Sequence, residues 1–398
     1  MIIKPMIRNN ICMNAHPLGC YRDVEDQIAY IKSKGTWQGP KKVLVIGAST
    51  GYGLASRISL AFGAGAGTLG IAYEKEASDK KPGTMGWYNT ASFDILAHKA
   101  GLISESINAD AFSHETRSLV ISRIKELFGK VDMIVYSLAS PVRTDPDTGV
   151  QYRSCIKPIG QTYSAKTYNT TTHEVSLASI DPVTSQDEVD QTVKVMGGED
   201  WVLWINALLK ADVLAPNVVT VAYSYIGPAL THPVYLNGTI GRAKAHLEGS
   251  VKDLDKLLKP VQGKAWVSEN KGLVTRASSV IPVVPLYFSL LYKTMKQKGL
   301  HENCIQQMDR LFRVKLFGEG KGTTGVATDQ EGRIRMDDWE MRADVQAEID
   351  RIWPMVTTEN IAELGDIEGT NLDFLNIHGF GKTGVDYDAD ISTLFPIA

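Results

Sequence analysis

The sequence has few cysteines, and their spacing favours neither a metal site nor a disulfide framework. Its four cysteines, Cys12, Cys20, Cys155 and Cys304, form no C-x-x-C pair, and its eight histidines form no H-E-x-x-H string. Zinc sites and disulfide-rich secreted scaffolds depend on such spacings. The sequence therefore predicts no metal site and reduced thiols, as in a cytoplasm.

No apolar run in the sequence is long enough to cross a membrane. The longest apolar region, residues 278–293, contains Pro282 and Pro285 and falls short of the roughly 20 residues that span a bilayer. Near the start of the chain, Lys4 and Arg8 interrupt the continuous apolar stretch that a signal peptide needs. We therefore expect a cytoplasmic protein without a membrane partner.

Neither sign of charge dominates the composition. The chain has 42 Lys and Arg residues against 45 Asp and Glu residues, a formal net charge of -3, so the totals do not favour nucleic acid as a partner. With 43% hydrophobic and 22% charged residues over 398 positions, the chain has the profile of a globular protein with one large core or two ordinary ones.

Short β-branched runs alternate with longer helical patterns along the chain. This alternation is typical of a doubly wound parallel sheet, so we predict an α/β fold of the Rossmann type. The predicted strands lie in KKVLVIG (41–47), TLGIAYE (68–74), the end of DILAHKAGLISESIN (94–108), VDMIVYSLAS (131–140), NVVTVAYSYIG (217–227) and KAWVSENKG (264–272).

Three glycines in the string GASTGYG lie between the first predicted strand and the helix that follows it. Glycine has no Cβ, so backbone N–H groups in such a turn can approach a phosphate, and the N-terminus of the helix favours the negative charge. This context predicts the pyrophosphate site of a dinucleotide, with an ordinary tight turn as the alternative. The candidate cofactor-binding residues are Gly47, Ala48, Ser49, Thr50, Gly51, Tyr52 and Gly53.

Glu74 ends the second predicted strand, where an acidic side chain can bind the ribose hydroxyls of adenosine. A carboxylate there would repel a 2′-phosphate, which favours NADH over NADPH, although neighbouring Lys75 is able to pair with a phosphate. A solvated charge at a strand end is the alternative. Further cofactor candidates, for which strand-end packing is the alternative, are Tyr73, Asp110, Ala111, Leu138, Ala139 and Ser140.

We interpret residues 1–398 as one large domain. Residues 1–40 are predicted to form an N-terminal hairpin or edge region, and residues 41–280 a dinucleotide-binding core with an insertion at about 141–200. Residues 281–398 are predicted to be mainly helical and to pack on the core. The insertion leaves the carboxyl end of the fourth predicted strand, where folds of this class usually build their substrate sites.

Hydride transfer from a nicotinamide needs a group that stabilises the negative charge produced on the substrate. A tyrosine hydroxyl with a nearby lysine ammonium can supply it. Two Y-x-x-x-K strings are present, Tyr30 with Lys34 and Tyr292 with Lys296, but neither follows the fifth predicted strand, where this arrangement belongs. We interpret both as coincidental.

Tyr235 and Lys244 do follow the fifth predicted strand, nine positions apart. On one continuous helix, nine steps of about 100° would place them on opposite faces. They can meet only if the tyrosine precedes the helix, and the sequence offers that break. Asn237 and Gly238 predict a turn, and Thr239 predicts the N-cap of the helix.

Tyr223 and Tyr225 lie two positions apart at the end of the fifth predicted strand. Because alternate residues of a strand share a face, both side chains point to the same side and are within reach of the site. For any single tyrosine, a place in an apolar wall is the ordinary alternative.

Together with these residues, longer motifs identify a resemblance. The chain resembles trans-2-enoyl-CoA and enoyl-[acyl-carrier-protein] reductases of the FabV/TER type over nearly its full length. The resemblance implies NADH-dependent reduction of the C2=C3 double bond of an acyl thioester, carried by CoA or acyl carrier protein, by a monomer. It also implies an enlarged short-chain dehydrogenase/reductase fold. The motifs are NAHPLGC, GASTGYG, GWYN, YSLASPVRTDPDTG, KVMGGEDW, YSYIGP, GTIGRAK and LVTRASSVIPVVPLY.

The resemblance also implies roles for particular residues. The spacing of Tyr235 and Lys244 matches the Y-x8-K signature of the family, which implies that both are catalytic, and Tyr225 matches a tyrosine that contacts substrate. The residues that match a segment beside the nicotinamide are Leu273, Val274 and Thr275.

On this basis we expect hydride transfer to C3 of the enoyl thioester, with Tyr235 donating a hydrogen bond or proton to the thioester oxygen. Lys244 is expected to bind the nicotinamide ribose and to lower the pKa of Tyr235, and Tyr225 to help hold the thioester. The residues expected to contact the acyl chain, with plain core packing as the alternative, are Ile226, Ile281, Pro282 and Leu286.

Two other functions remain as alternatives. A carbonyl (3-ketoacyl) reductase of the same fold would use the same cofactor, but the absence of Y-x-x-x-K after the fifth predicted strand argues against it. A non-enzymatic NADH sensor would keep the glycine turn without needing the tyrosine and the lysine.

Overall fold

Buried runs of Val, Ile and Leu form the strands of a central sheet. The structure, a computed structural model, describes residues 1–8, 11–169, 172–276, 278, 281 and 283–396. The strands are β1 (Ile7–Arg8), β2 (Ile11–Cys12), β3 (Lys42–Ile46), β4 (Gly67–Ala72), β5 (Ser104–Asn108), β6 (Val131–Tyr136), β7 (Val142–Thr144), β8 (Gln151–Arg153), β9 (Tyr163–Tyr168), β10 (Val175–Ile180), β11 (Leu214–Ser224), β12 (Lys264–Glu269) and β13 (Ile334–Arg335). The helices are α1 (Pro17–Ser33), α2 (Gly51–Ala64), α3 (Met85–Lys99), α4 (His114–Leu127), α5 (Gln186–Met196), α6 (Glu199–Lys210), α7 (Thr239–Gly249), α8 (Val251–Leu258), α9 (Val284–Gln297), α10 (Cys304–Arg310), α11 (Ala343–Ile352), α12 (Ile361–Leu364) and α13 (Ile367–Asn376).

Seven of these strands form one parallel sheet in the order β5-β4-β3-β6-β11-β12-β13. The central strand β3 pairs with β4 on one side and β6 on the other, so that Ile46 lies opposite both Ile71 and Tyr136. The direction in which strands are added reverses between β3 and β6. Ligands of doubly wound folds bind at the carboxyl ends of the strands beside this reversal. The predicted α/β fold of the Rossmann type is confirmed.

Side chains alternate along β3 and supply two separate cores. Val43 and Val45 pack on one face of the sheet with α1, α2 and α10, whereas Leu44 and Ile46 pack on the other face with α4, α6 and α8. Successive residues of a strand point to opposite faces, so one continuous apolar run buries both sides.

The six predicted strands are present with shifted bounds. The run at 68–74 forms β4, which ends at Ala72, and the run at 217–227 forms part of β11, which begins at Leu214. The seventh strand, β13, was not predicted, because the chain after residue 278 was expected to be mainly helical. Ile334 of β13 lies opposite Ser268 of β12. A two-residue strand inside a charged stretch carries no alternating pattern that would reveal it.

Short antiparallel hairpins are added outside the sheet. β7 pairs with β8 and β9 pairs with β10, both within the stretch in which the sequence predicts an insertion. Another hairpin, β1 with β2, lies near the N-terminus. The division of the chain into a core, an insertion and a C-terminal part stays a prediction.

The longest helix in the described part of the chain, α1, has 17 residues. None of the helices described combines the length and the apolar character that crossing a bilayer requires.

Arg57 is a fully buried charge that joins α2 to the edge of the sheet. Its Nε donates to Thr68 Oγ1 of β4 at 3.0 Å, and its Nη1 donates to Ser106 Oγ of β5 at 2.6 Å. Its Nη2 donates to Asp94 Oδ1 of α3 at 2.9 Å and to the Glu105 carbonyl at 2.7 Å. Because the guanidinium is removed from water, its charge depends on these acceptors, of which the half-buried Asp94 carboxylate also accepts a hydrogen bond from the Ser104 hydroxyl.

Replacing Arg57 with Ala should therefore lower the free energy of unfolding by about 2–4 kcal/mol, since it breaks the ion pair with Asp94 and removes the hydrogen bonds to Thr68 and Ser106. Urea unfolding followed by circular dichroism measures the change. Arg123→Ala is the control, because Arg123 forms its ion pairs with Glu105 and Glu126 at the surface and should shift the midpoint far less. A midpoint shift for Arg57→Ala no larger than that of the control would contradict the account.

Candidate active site

A cavity of about 230 Å³ lies at the carboxyl ends of β6, β11 and β12. Its lining comes from the glycine turn, from the segments after these three strands and from α5, α7 and α9. Ten residues that the sequence predicts to reach the site are in the lining: Tyr52, Leu138, Ala139, Tyr223, Tyr225, Tyr235, Lys244, Leu273, Thr275 and Ile281. Candidates for catalysis, for substrate binding and for cofactor binding thus meet in one place.

Gly47 and Gly53 allow β3, α2 and the end of β6 to approach more closely than side chains would permit. Gly47 has a φ of 87°, and a Cβ on it would overlap the carbonyl group of Ser137. A Cβ on Gly53 would overlap the carbonyl oxygen of Gly47. Both positions need glycine for these backbone reasons, as does the glycine turn of a dinucleotide site.

The N-terminus of α2 is suited to an anion. The helix begins at Gly51, and within the described residues the side chain of its N-cap, Thr50, makes no capping hydrogen bond. Its first-turn N–H groups are therefore left for another acceptor. Thr275 lies beside them: its Cγ2 is 3.8 Å from the position that a Cβ would occupy if residue 51 had one. The turn and Thr275 therefore lie side by side at a helix end that is suited to a phosphate.

Glu74 lies two residues beyond β4 and faces the glycine turn. Its Oε1 accepts a hydrogen bond from the Ser49 hydroxyl at 2.7 Å, and its Oε2 lies 3.5 Å from Nη1 of Arg276. Its backbone N–H donates to Asn108 Oδ1 at 2.7 Å, which joins the ends of β4 and β5. The Glu74 side chain is 8% exposed, so it is not a solvated strand-end charge.

The remaining cofactor candidates at the adenosine side follow β4, β5 and β6 and are outside the described lining of the cavity. Asp110 follows β5, and its Oδ1 accepts a hydrogen bond from the Phe112 N–H at 2.9 Å. Ala111 is buried, Ser140 is half-buried and Tyr73 is 79% exposed. The structure thus places these residues at the predicted edge of the sheet.

Tyr235 precedes the helix that carries Lys244, as predicted. The helix α7 begins at Thr239, so Tyr235 lies in the turn before it and both side chains reach the cavity. The predicted N-cap is wrong, because Gly238 is the N-cap and Thr239 is the first helical residue. The Thr239 hydroxyl instead donates to the Cys155 carbonyl at 2.6 Å, which attaches the insertion to α7.

Burial sets the proton affinities of Tyr235 and Lys244. It raises the pKa of the Tyr235 hydroxyl, and the Glu340 carboxylate adds to that rise. It lowers the pKa of Lys244, whose Nζ donates to the Tyr223 carbonyl at 2.9 Å. The expected lowering of the Tyr235 pKa by Lys244 is therefore wrong for this structure. Tyr235 carries its proton at neutral pH.

The rings of Tyr225 and Tyr235 meet edge to face in the wall of the cavity. Their centroids are 4.9 Å apart and their planes form an angle of 83°. Tyr223 also lines the cavity, and its hydroxyl lies 2.6 Å from Ser56 Oγ of α2. Both tyrosines at the end of β11 therefore reach the site, as the alternation of side chains along a strand predicts.

Two buried charged residues beside these tyrosines were not predicted. Lys271 lines the cavity and is 1% exposed; its Nζ donates to the Gly272 carbonyl at 3.1 Å and lies 5.0 Å from the centroid of the Tyr292 ring. Burial lowers the pKa of Lys271 to about 8. Glu340 is fully buried and accepts a hydrogen bond from the Tyr225 hydroxyl at 3.2 Å. Their sequence contexts, ENKG and DDWE, are typical of exposed polar loops and carry no signal of burial.

The residues expected to contact an acyl chain have separate places in the structure. Ile281 lines the cavity, whereas Leu286 packs with Tyr168 in a core cluster. Ile226 is half-buried and is not among the described lining residues. Pro282 lies outside the described residues.

The residues of the two Y-x-x-x-K strings are also absent from the described lining of the cavity. Tyr30 lies in the last turns of α1, and Lys34 is the C-cap of that helix. The Tyr292 hydroxyl accepts a hydrogen bond from the Val274 N–H at 3.1 Å. Tyr292 therefore supports the segment beside the predicted nicotinamide site from outside the cavity.

Replacing Gly53 with Ala should destabilise the protein by about 1–3 kcal/mol, because the added Cβ would overlap the Gly47 carbonyl oxygen and force the backbone apart. The same displacement should weaken NADH binding. Urea unfolding and fluorescence titration with NADH measure the two effects. Gly249→Ala is the matched control, because Gly249 is an exposed residue of α7 with nothing within 4 Å of an added Cβ. Indistinguishable behaviour of the two variants would contradict the account.

Family models match three parts of the chain. The model of the "Trans-2-enoyl-CoA reductase catalytic region" matches residues 81–317, and the "NAD(P)H binding domain of trans-2-enoyl-CoA reductase" matches residues 2–79. An "Enoyl reductase FAD binding domain" matches residues 328–391. The second model includes the glycine turn and Glu74.

The residues of the third segment do not fit a flavin dinucleotide. In residues 328–391, all of which the structure describes, β13 is followed by Met336, Asp337 and Asp338 rather than by a glycine-rich turn and a helix. The N–H groups of Met336 and Asp337 donate to the Glu269 carbonyl at 2.8 and 3.0 Å. Acidic side chains and occupied N–H groups do not bind a pyrophosphate.

Relatives match over the whole chain. The enoyl-[acyl-carrier-protein] reductase [NADH] of Cytophaga hutchinsonii is 56% identical over 392 residues, which cover 98% of this chain and 98% of that relative. The protein of the same name from Flavobacterium johnsoniae is 54% identical over 397 residues, which cover 100% of this chain and 99% of the relative.

Solved structures match equally well. The trans-2-enoyl-CoA reductase of Clostridium acetobutulicum in complex with NADH has a TM-score of 0.95 at 46% identity and covers 99% of this chain and 98% of that chain. The Treponema denticola enzyme in complex with NAD has a TM-score of 0.94 at 50% identity and covers 98% of both chains. The resemblance found in the sequence is confirmed. Since the model of the catalytic region alone spans more than half of its length, this chain belongs to the trans-2-enoyl-CoA reductase family.

Proposed function

We propose that this protein uses NADH to reduce the C2=C3 double bond of trans-2-enoyl thioesters to saturated acyl thioesters. The observation that carries the proposal is the meeting of Tyr235 and Lys244 in one cavity beside the glycine turn, in a chain of this family. The names of the relatives, which specify NADH, enoyl-[acyl-carrier-protein] and trans-2-enoyl-CoA, support the reductant and the substrate class.

The glycine turn and Glu74 are the residues that would hold NADH. Residues 47–53 offer backbone N–H groups and the positive end of α2 to the pyrophosphate, and Glu74 offers a carboxylate to the adenosine ribose. Residues 273–275 would cover the nicotinamide, since Thr275 lies beside the turn. When bound, the reduced nicotinamide supplies a hydride.

Tyr235 is the proton donor in this proposal. Addition of a hydride at C3 moves negative charge to the thioester oxygen, giving an enolate, and a neutral phenol stabilises that charge through a hydrogen bond or proton transfer. Because burial raises the pKa of Tyr235, its hydroxyl holds a proton at neutral pH and is ready to donate. Protonation of the enolate at C2 then completes the saturated thioester.

Lys244 contributes a fixed positive charge. Its hydrogen bond to the Tyr223 carbonyl holds the ammonium group at the end of β11, next to the segment proposed to cover the nicotinamide. There it would bind the nicotinamide ribose hydroxyls and stabilise charge on the substrate. Tyr225, packed against Tyr235, would form the adjoining wall of the substrate site.

We further propose that the acyl group arrives on CoA or acyl carrier protein and that the protein acts as a cytoplasmic monomer. The names of the relatives include both carriers. The four cysteines are free thiols, which suits a reducing compartment. Pairing of β13 with β12 attaches the C-terminal part to the sheet and supports a single domain over residues 1–398.

The direct experiment is oxidation of NADH by the purified protein with crotonyl-CoA, repeated with a longer enoyl-CoA and with an enoyl-acyl-carrier-protein. Turnover with at least one enoyl thioester is the expected result. Turnover with a 3-ketoacyl thioester instead would establish the carbonyl reductase alternative. NADH binding without oxidation by any of these thioesters would establish the sensor alternative.

Replacing Tyr235 with Phe should lower kcat by about 10²–10³-fold, because the oxyanion loses its donor, while NADH binding changes little. Steady-state kinetics with crotonyl-CoA and NADH titration measure the two quantities. Tyr163→Phe is the matched control: its hydroxyl donates to the Leu230 carbonyl at 2.6 Å outside the described lining of the cavity. Unchanged turnover of Tyr235→Phe would move the donor role to another group.

Replacing Glu74 with Gln should raise the ratio of kcat/KM for NADPH to that for NADH by about tenfold. The substitution removes the carboxylate that repels a 2′-phosphate. Arg276, whose Nη1 lies 3.5 Å from Glu74 Oε2 in the parent protein, stays near the place of that phosphate. Kinetics with both cofactors measure the ratio. Glu76→Gln removes a neighbouring exposed carboxylate and is the control. An unchanged ratio for Glu74→Gln would show that Glu74 does not select the cofactor.

A further inference from the structure

Glu340 brings a carboxylate from the C-terminal part of the chain to a place behind the wall of the site, next to the lining residues Tyr225 and Gly272. It follows β13, its side chain is fully buried, and it lies 115 residues after Tyr225, with which it shares a hydrogen bond. Its backbone carbonyl accepts a hydrogen bond from Gln346 Nε2 of α11 at 2.7 Å. The C-terminal helix α11 therefore helps to fix the backbone position of Glu340.

Three donors from different elements converge on this carboxylate. Oε1 accepts from the Tyr225 hydroxyl at 3.2 Å and from the Tyr287 hydroxyl of α9 at 2.7 Å. Oε2 accepts from the Gly272 N–H at 2.6 Å. Glu340 thereby joins the substrate-side tyrosine after β11 to the backbone after β12, which continues into the proposed nicotinamide cover.

These contacts fix the direction of the Tyr225 hydroxyl. A carboxylate accepts hydrogen bonds and does not donate them, so the phenol proton of Tyr225 points toward Glu340 and away from the cavity. Its oxygen lone pairs remain for groups on the cavity side, where Tyr235 lies edge to face at 4.9 Å. Tyr225 is thus an acceptor toward the cavity, which leaves Tyr235 as the phenol able to donate to a thioester oxygen.

Charge near Glu340 favours this arrangement. Burial raises the pKa of the Glu340 carboxyl, and the ammonium group of Lys271, buried beside the same segment, opposes that rise. The Gly272 N–H and the Tyr287 hydroxyl stabilise the ionised form further through their hydrogen bonds.

We propose that Glu340 is a positioning residue of the reductase site, which holds the Tyr225 hydroxyl as an acceptor and so assigns donation to the thioester oxygen to Tyr235 alone. The inference rests on the proposed enoyl thioester reduction. It gives the segment at 328–391 a part in the substrate site that does not depend on a flavin.

A double-mutant cycle of Glu340→Gln and Tyr225→Phe tests the proposal. The glutamine keeps the size of the side chain, but its oxygen must accept from the Gly272 N–H, so its amide group donates to the tyrosine oxygens and reverses the Tyr225 hydroxyl. Each single variant should lower kcat with crotonyl-CoA roughly tenfold, with NADH affinity unchanged, because Glu340→Gln turns a competing donor toward the thioester oxygen and Tyr225→Phe removes the hydroxyl oxygen from the substrate side of the cavity. In the Tyr225→Phe background, adding Glu340→Gln should lower kcat further by less than about twofold, since the two residues act as one unit.

Tyr163→Phe is the control, because its hydroxyl donates to the Leu230 carbonyl at 2.6 Å, outside the described lining of the cavity and apart from Glu340; its kcat should stay within about twofold of the parent. Thermal unfolding of each variant separates local from global effects. If Glu340→Gln does not fold, Glu340→Asp, which keeps the charge and withdraws it by one methylene group, replaces it in the same cycle.

Losses in kcat that multiply in the double variant, or a Glu340→Gln enzyme as fast as the parent, would overturn the positioning role. Absence of turnover in the parent protein with any enoyl thioester would instead overturn the proposed function, and this inference with it. The two failures are therefore distinguishable in one set of assays.

Discussion

Backbone contact at Gly47 and Gly53 sets the spacing of β3, α2 and β6, and the site depends on that spacing. Because Gly47 packs against the Ser137 carbonyl, the residues that follow β6 are drawn into the lining of the cavity. Because Gly53 packs against Gly47, the first turn of α2 lies close to the end of β3. There the Tyr52 hydroxyl donates a hydrogen bond to the Lys271 carbonyl. One close approach thus brings together the proposed phosphate turn, the end of β6 and the segment after β12.

Burial then determines what the side chains in this space can do. The tyrosines and lysines of the cavity are removed from water, so hydrogen bonds and charges act more strongly on one another than they would at the surface. Burial raises the pKa of Tyr235, so this residue keeps its proton; it also lowers the pKa of Lys271 to about 8 and raises the pKa of the Glu340 carboxyl. The C-terminal helices contribute to this environment through Glu340, although no motif of a nucleotide site accompanies that residue.

The fold was predictable because its evidence is local. Most strands of the sheet contain a short apolar run, and the break before Thr239 indicated that Tyr235 precedes α7. Glu340, Lys271 and β13 were missed for a common physical reason. Their burial depends on partners far along the chain, as in the bond between Glu340 and Tyr225, and charged or polar residues predominate in the short stretches that contain them. The pKa of Tyr235 was misjudged because its environment, rather than the nearby lysine, controls it.

The measurement that tests the central claim most directly follows the hydride itself. NADH carrying deuterium at the transferred C4 position would be incubated with the protein and crotonyl-CoA in ordinary water, and the acyl product analysed by mass spectrometry and NMR. Reduction of the double bond with Tyr235 acting toward the thioester oxygen predicts deuterium at C3 of a butyryl thioester and a solvent-derived hydrogen at C2. Deuterium at any other carbon, or NADH oxidation without a saturated thioester, would contradict it.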